Sequence, residues 1–117
     1  MDRRAALQKT EFVEIFRESV HDTLKNILGE MGAKTVVSIL QVDEHLHDPR
    51  ELHETFHCRL YPIVKEGVVT LERAIAKELH RRAGLCYQEE APFDFVKCVA
   101  HARMAFEGSG SSSIVLL

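Results

Sequence analysis

An all-α fold, a compact bundle of about five helices with a disordered C-terminal tail, is what this chain of 117 residues predicts. Three observations lead there. Apolar residues recur at spacings of three and four along most of the chain, with helix start and stop signals between the runs. The one β-branched cluster that would suit a strand has no second strand to pair with. Hydrophobic residues make up 45% of the chain and charged residues 28%, the balance of a sequence that folds.

The first helix is expected from Glu11 to Met31, where Phe12, Phe16, Val20, Leu24, Ile27, Leu28 and Met31 fall on one face. Glu14, Glu18, Asp22 and Lys25 lie largely on the other. Gly29 weakens this helix only slightly, and Gly32 is the expected stop. A shorter, more buried second helix then begins in "AKTVVSILQV", in preference to a strand built on Thr35, Val36, Val37 and Ile39. The third helix opens at "HDPRE": Asp48 caps, Pro49 takes the first helical position, and Glu51 sits where a capping-box carboxylate reaches back. Its stripe is Leu52, Phe56, Leu60 and Ile63. Pro62 is expected to kink or end it, and Gly67 marks the break that follows.

The fourth helix, from about Val68 to Ala83, carries a narrow seam of Val68, Leu71, Ile75 and Leu79, with Gly84 and Leu85 completing a Schellman cap. Pro92 is expected to open the fifth, which runs to about Phe106. It is apolar on two faces, Phe93, Val96, Ala100 and Met104 on one, Phe95, Val99, Ala102 and Phe106 on the other. Such a helix is buried on two sides, centrally in the fold or between subunits. We take Phe95, Val99, Ala102 and Phe106 as the candidate interface of a homodimer. Residues 1–107 form a single helical domain in this reading, and "GSGSSSIVLL" at 108–117 a flexible Gly/Ser-rich tail.

A net charge of −3 and a pI of about 6.1 give no bulk attraction to a phosphate backbone, so nucleic acid is not an expected partner. No apolar run approaches the roughly 20 residues of a membrane span, and the start lacks the apolar segment of a signal peptide, which points to the cytoplasm. Cys58, Cys86 and Cys98 form no C-x-x-C pair and are expected as reduced, partly buried thiols.

The one catalytic spelling is "HETFH", residues 53–57. On a helix, His53 and His57 share a face, and Glu54 occupies the position that activates a metal-bound water in zinc hydrolases. The third ligand of the extended pattern is absent: "CRLYPI" follows. The substitutes are Glu72 and Glu78 on the fourth helix, Glu78 facing about a quarter turn away from the seam. Chance spelling, with both imidazoles half covered beside the apolar stripe, fits the residues better, so no catalytic residue, cofactor or metal is expected. A minimal zinc hydrolase is the alternative. "HLHD" offers His45, His47 and Asp48, which with His53 could bind a metal opportunistically. His21, His80 and His101 are expected as exposed imidazoles. Arg73, Lys77, His80 and Arg81 gather on the outer face of the fourth helix as a solvated face, or as the contact of a nucleic-acid accessory protein, a second alternative. Tyr87, Glu89 and Glu90 form a polar connection that could serve as a small docking loop.

Four segments, "ILGEMGAK" (27–34), "DPRELHETF" (48–56), "EGVVTLERAIAKEL" (66–79) and "FDFVKCV" (93–99), resemble the fifth of the Nitrosopumilus output domains, small all-helical archaeal domains. The resemblance spans about residues 12–106. Its features fall on Leu28, Gly29, Gly32 and Ala33, on Asp48 and Pro49, on Gly67, Leu71, Glu72 and Ile75, and on Phe93 and Phe95. Where the family pattern has an aromatic and a Gly before the fourth helix, this chain has "YPIVKEG", in which only the Gly matches. The resemblance implies an archaeal domain that stands alone or ends sensory and regulatory chains, with no established enzymatic activity and no requirement for both His53 and His57. The matched positions are cap, turn and core residues, specific for a fold and silent on chemistry. The expected function is a non-enzymatic regulatory or signal-output module acting through protein–protein contact, with a protein partner.

Overall fold

The first apolar run does form a helix, and the way it breaks sets the shape of the bundle. In a computed structural model, which describes the backbone of residues 3–115 and the side chains of residues 11–108, helix α1 runs Arg3–Leu40 with one non-helical residue inside it, Gly29 at φ 78° and ψ 170°. That region of backbone space is open essentially to glycine alone. The break therefore falls at Gly29, three residues before the expected stop at Gly32, which remains helical. Phe12, Phe16, Val20 and Leu24 of the first half are buried; Ile27 and Leu28 just before the break and Met31 just after it are exposed, and Ala33 and Leu40 of the second half return to the core.

One turn, α2 (Val42–His45), makes the corner into α3 (Pro49–Thr55). Asp48 caps α3 by accepting a hydrogen bond from the Arg50 N–H at 3.0 Å, with Pro49 in the first turn as expected. Glu51 does not complete a capping box; it turns to His45 and His47, at 3.6 and 3.5 Å. The helix neither ends nor simply kinks at Pro62. Pro62 has no N–H for the preceding turn and its ring crowds the carbonyl there, so the chain widens into a π turn over Phe56–Leu60, in which the Tyr61 N–H bonds to Phe56. Helix α4 (Tyr61–Val64) continues the rod.

Helix α5 (Gly67–Ala83) ends in the expected Schellman arrangement: Gly84 is left-handed at φ 73°, Leu85 N–H bonds to His80 and Gly84 N–H to Arg81. Helix α6 (Phe95–Val115) starts three residues after Pro92, because Asp94 is the cap, accepting from the Lys97 N–H at 3.0 Å. Its backbone stays helical through "GSGSSSIV"; residues 116–117 of the expected tail lie outside the described residues. The two halves of α1, the α3–α4 rod, α5 and α6 are the five helices, and among the described residues there is no strand.

Phe16, Leu24, Leu52, Phe56, Ile75, Leu79 and Phe95 form the centre of the core. Helix α6 packs on α1, α3 and α5 together through its Phe95, Val99 and Ala102 side. Phe95, Val99 and Ala102, expected at a subunit interface, are each 1% exposed within the single chain. Phe95 stands 6.4 Å from Phe16 between ring centres, and half-buried Phe106 5.8 Å from Phe12. The helix is buried on one side only: these side chains belong to the chain's own core, while on the other expected apolar face Ala100 is exposed and Met104 70% exposed.

Arg82 ties α5 to α1. Its guanidinium donates to Glu18 at 2.9 Å, to Asp22, and to Glu78 at 2.6 Å. Hydrogen bonds from Arg81 and then Arg82 hold the Glu78 carboxyl at about 2, against the opposing effect of burial. A depressed carboxyl stabilises the fold above its ordinary value of 4.5, and that contribution is lost as pH falls from 4.5 toward 2.

Two outcomes follow for thermal unfolding. Gly29→Ala is expected to cost about 1–3 kcal/mol through backbone strain alone, since nothing lies within 4 Å of a Cβ at that position; circular dichroism melts check it. Glu78→Gln is expected to lower Tm at neutral pH, and the gap from the parent protein should close as the melts are repeated from pH 4.5 down to pH 2.

Candidate metal centre and apolar groove

Spacing alone puts His53 and His57 on one side of the α3–π rod; what they meet there is decided by α5. Glu72 lies four residues after Val68 and three before Ile75, inside the same buried stripe, so its carboxylate points at the rod and not at solvent. His53 Nδ1 lies 2.6 Å from Glu72 Oε2, and His57 Nε2 lies 3.2 Å from Oε1. One nitrogen from each ring and one carboxylate oxygen all lie within 4.8 Å of one another, the single such His/Cys/Asp/Glu group among the described residues.

The Glu72 side chain is 2% exposed and each imidazole 35%. The half-covered state expected of the two histidines is what the structure has, and the rings are further fixed by stacking, His53 on Phe95 at 6.3 Å and His57 on Tyr61 at 6.1 Å. Burial pushes the Glu72 carboxyl up from 4.5 to about 7, with the His57 hydrogen bond opposing. Holding it ionised at neutral pH therefore costs the fold roughly 3 kcal/mol. Among the described residues its ion-pair partners are the two imidazoles, with no Lys or Arg.

Of the two carboxylates considered as a third ligand, Glu72 is in place, while Glu78 is held by Arg81 and Arg82. Glu54, the water-activating position of the hydrolase alternative, lies with His45, Glu51 and Cys58 around a shallow recess that neither His53 nor His57 lines. The "HLHD" loop does not converge on His53: His45 and His47 meet Glu51, and Asp48 is spent as a cap.

The basic face of α5 is likewise dispersed. Arg73 pairs with Glu89 at 3.2 Å and covers the Phe93 ring, and Lys77 lies over Tyr87. Arg81 pairs with Glu78. His80, expected as exposed, is buried and donates from Nδ1 to the Ala76 carbonyl at 2.7 Å. His21 pairs with Asp43 at 2.7 Å. Tyr87 donates to Glu89 at 2.9 Å and is pushed up to about 12, by burial first and then by that acid. Of the thiols, Cys58 and Cys86 are exposed and only Cys98 is partly covered, where burial raises it.

The spacing analysis missed an apolar groove. Between α1 on both sides of Gly29 and the wall formed by the π turn, α4 and the start of α5 lies a recess of about 510 Å³, lined by Ile27, Leu28, Val36, Ile39, Leu60, Ile63, Val64 and Leu71 among others. Arg59 is the one charged residue on its lining. Of these lining residues Ile63 is 77% and Ile39 62% exposed, so the rim of the recess is itself apolar. No helix among the described residues is long and apolar enough to cross a membrane.

Searches against family models, curated proteins and solved structures return no match for this chain.

Glu72 is held in place at a cost to the fold, which suggests replacing it with an apolar side chain of similar size. Both imidazoles keep access to water, so Glu72→Leu is expected to leave Tm unchanged or raise it, by up to about 1–4 kcal/mol of stability, in melts of chelator-treated protein at pH 8.

Proposed function

We propose that this chain is a non-enzymatic regulatory or signal-output module that works by protein contact, and that its contact surface is the apolar groove between α1 and α4. One observation carries the reading: a recess of about 510 Å³ with a single charged residue on its lining stands open to solvent, and Ile39 and Ile63 of that lining are largely exposed. Contiguous exposed apolar surface of this kind marks a binding site, because water solvates it poorly and any matching surface that covers it is favoured.

The occupant we assign is a second copy of the chain. A twofold pairing needs a surface that complements itself. Here Ile39 and Ile63, on the lining of the hollow, are themselves largely exposed, so the same apolar side chains can both project and be covered, and Arg59 is the one charge among them. The contact thus uses groove residues, while the side chains of α6 first considered for it remain in the core. Signal output would then consist of assembling or releasing this pair.

Analytical ultracentrifugation tests the reading. The parent protein is expected to sediment as a concentration-dependent dimer, and Ile63→Glu, which places a carboxylate on an exposed edge without touching the core, to sediment as a monomer with an unchanged melt. A parent protein that stays monomeric to millimolar concentration removes the second copy as occupant, and a dimer that survives Ile63→Glu places the contact on another face.

A further inference from the structure

Separate from the contact surface, the facing sides of the α3–π rod and α5 carry a set of metal-binding atoms. We propose that His53, His57 and Glu72 form a binding site for one divalent transition-metal ion of the zinc class, which clamps the rod to α5.

Geometry comes first. Zinc holds nitrogen and oxygen ligands at about 2.0–2.2 Å in a tetrahedron, which sets the ligand atoms roughly 3.3–3.5 Å from one another. The two N···O contacts here are 2.6 and 3.2 Å, and the whole set lies within 4.8 Å. The two contacts are made to different carboxylate oxygens, and closing the widest pair from up to 4.8 Å to that spacing takes side-chain shifts of about an ångström.

The chemistry of the donors agrees. Each N···O contact requires a proton between its two atoms, on the ring or on the carboxylate. An ion of charge two replaces those protons and links the same atoms, releasing the protons to solvent. The carboxylate is 2% exposed and has no Lys or Arg partner among the described residues, so the ion would supply positive charge where the fold provides none in permanent form. Two imidazoles with one carboxylate suit zinc, and exclude by softness the calcium and magnesium that favour all-oxygen sites.

The rings are oriented by residues that do not bind the ion. Phe95 stacks on His53 and Tyr61 on His57, which fixes both planes before a metal arrives. The rings' 35% exposure leaves the fourth coordination position facing solvent. Glu54 stands outside the set, so no hydrolytic step is assigned to this ion.

Chelator-stripped full-length protein titrated with Co2+, followed by visible absorption, and with Zn2+, followed by calorimetry, tests the site. One equivalent is expected to bind with micromolar or tighter affinity, giving the intense visible bands of a low-coordinate Co2+ site, and Zn2+ is expected to displace the Co2+. His57→Ala and Glu72→Leu are each expected to weaken binding about 100-fold while circular dichroism stays that of the parent. Thermal melts supply a second reading, with one equivalent of Zn2+ raising Tm of the parent and not of His57→Ala. Absence of stoichiometric binding by the parent overturns the proposal. So does binding that survives His57→Ala, which would place the ion elsewhere, for example at His45 and His47. Neither result bears on the sedimentation of the parent protein, so this site and the groove stand or fall separately.

Discussion

The conformation of one residue organises the molecule. Without Gly29 at positive φ, helix α1 would run straight, and the residues after it, from Met31 to Leu40, would continue the line of the first half. With it, Phe12, Phe16, Val20 and Leu24 of the first half and Ala33 and Leu40 of the second both reach the core, and the residues flanking the bend form one side of a groove. The space around the missing Cβ is empty, so the constraint is carried by backbone sterics and not by packing. A glycine here therefore does what no neighbouring contact could enforce.

Glu72 is the second fixed point, of opposite character. The helical stripe that buries Val68, Leu71, Ile75 and Leu79 buries a carboxylate with them. A core position of this kind is ordinarily apolar, since moving a carboxylate out of water costs several kcal/mol unless it is fully compensated. Compensation here comes from two imidazoles on a different helix, so the polar contact also sets the register between the α3–π rod and α5. Specific register and reduced stability have one source.

Much of the fold was legible in the residues. The Schellman end of α5 and the Asp48–Pro49 start of α3 follow from local chemistry that no tertiary contact overrides. The start of α6 was misplaced because Pro92 was read as the opener when Asp94, two residues on, had the better capping side chain. The split of α1 could not be placed by periodicity, because Gly29 and Gly32 are equally permissive, and their difference emerges only when the chain must turn back on itself. Of the candidate centre, the two histidines were readable from their i, i+4 spacing, and Glu72 was readable as a polar residue inside an apolar stripe. That they meet depends on how two helices 15–19 residues apart in sequence pack, which no local pattern encodes. The groove was invisible for a related reason: Ile39 and Ile63 look like core residues in any one-dimensional pattern, and only the shape of the bundle leaves them outside.

The π turn at Phe56–Leu60 alters the phase of a helix without changing its composition. A regular α-helix advances about 100° per residue, and a π turn accommodates one residue more than the α turn it replaces. Tyr61–Val64 are therefore rotated by about 100° from the direction the preceding stripe would have given them. Ile63, in step with Phe56 and Leu60 on paper, emerges on the groove wall. Chain length within a single turn thus acts as a steering variable: the one residue that the π turn takes up sets Ile63 out of step with Phe56. Surface character in such a rod can diverge between related chains by insertion and deletion alone, with every hydrophobic residue retained.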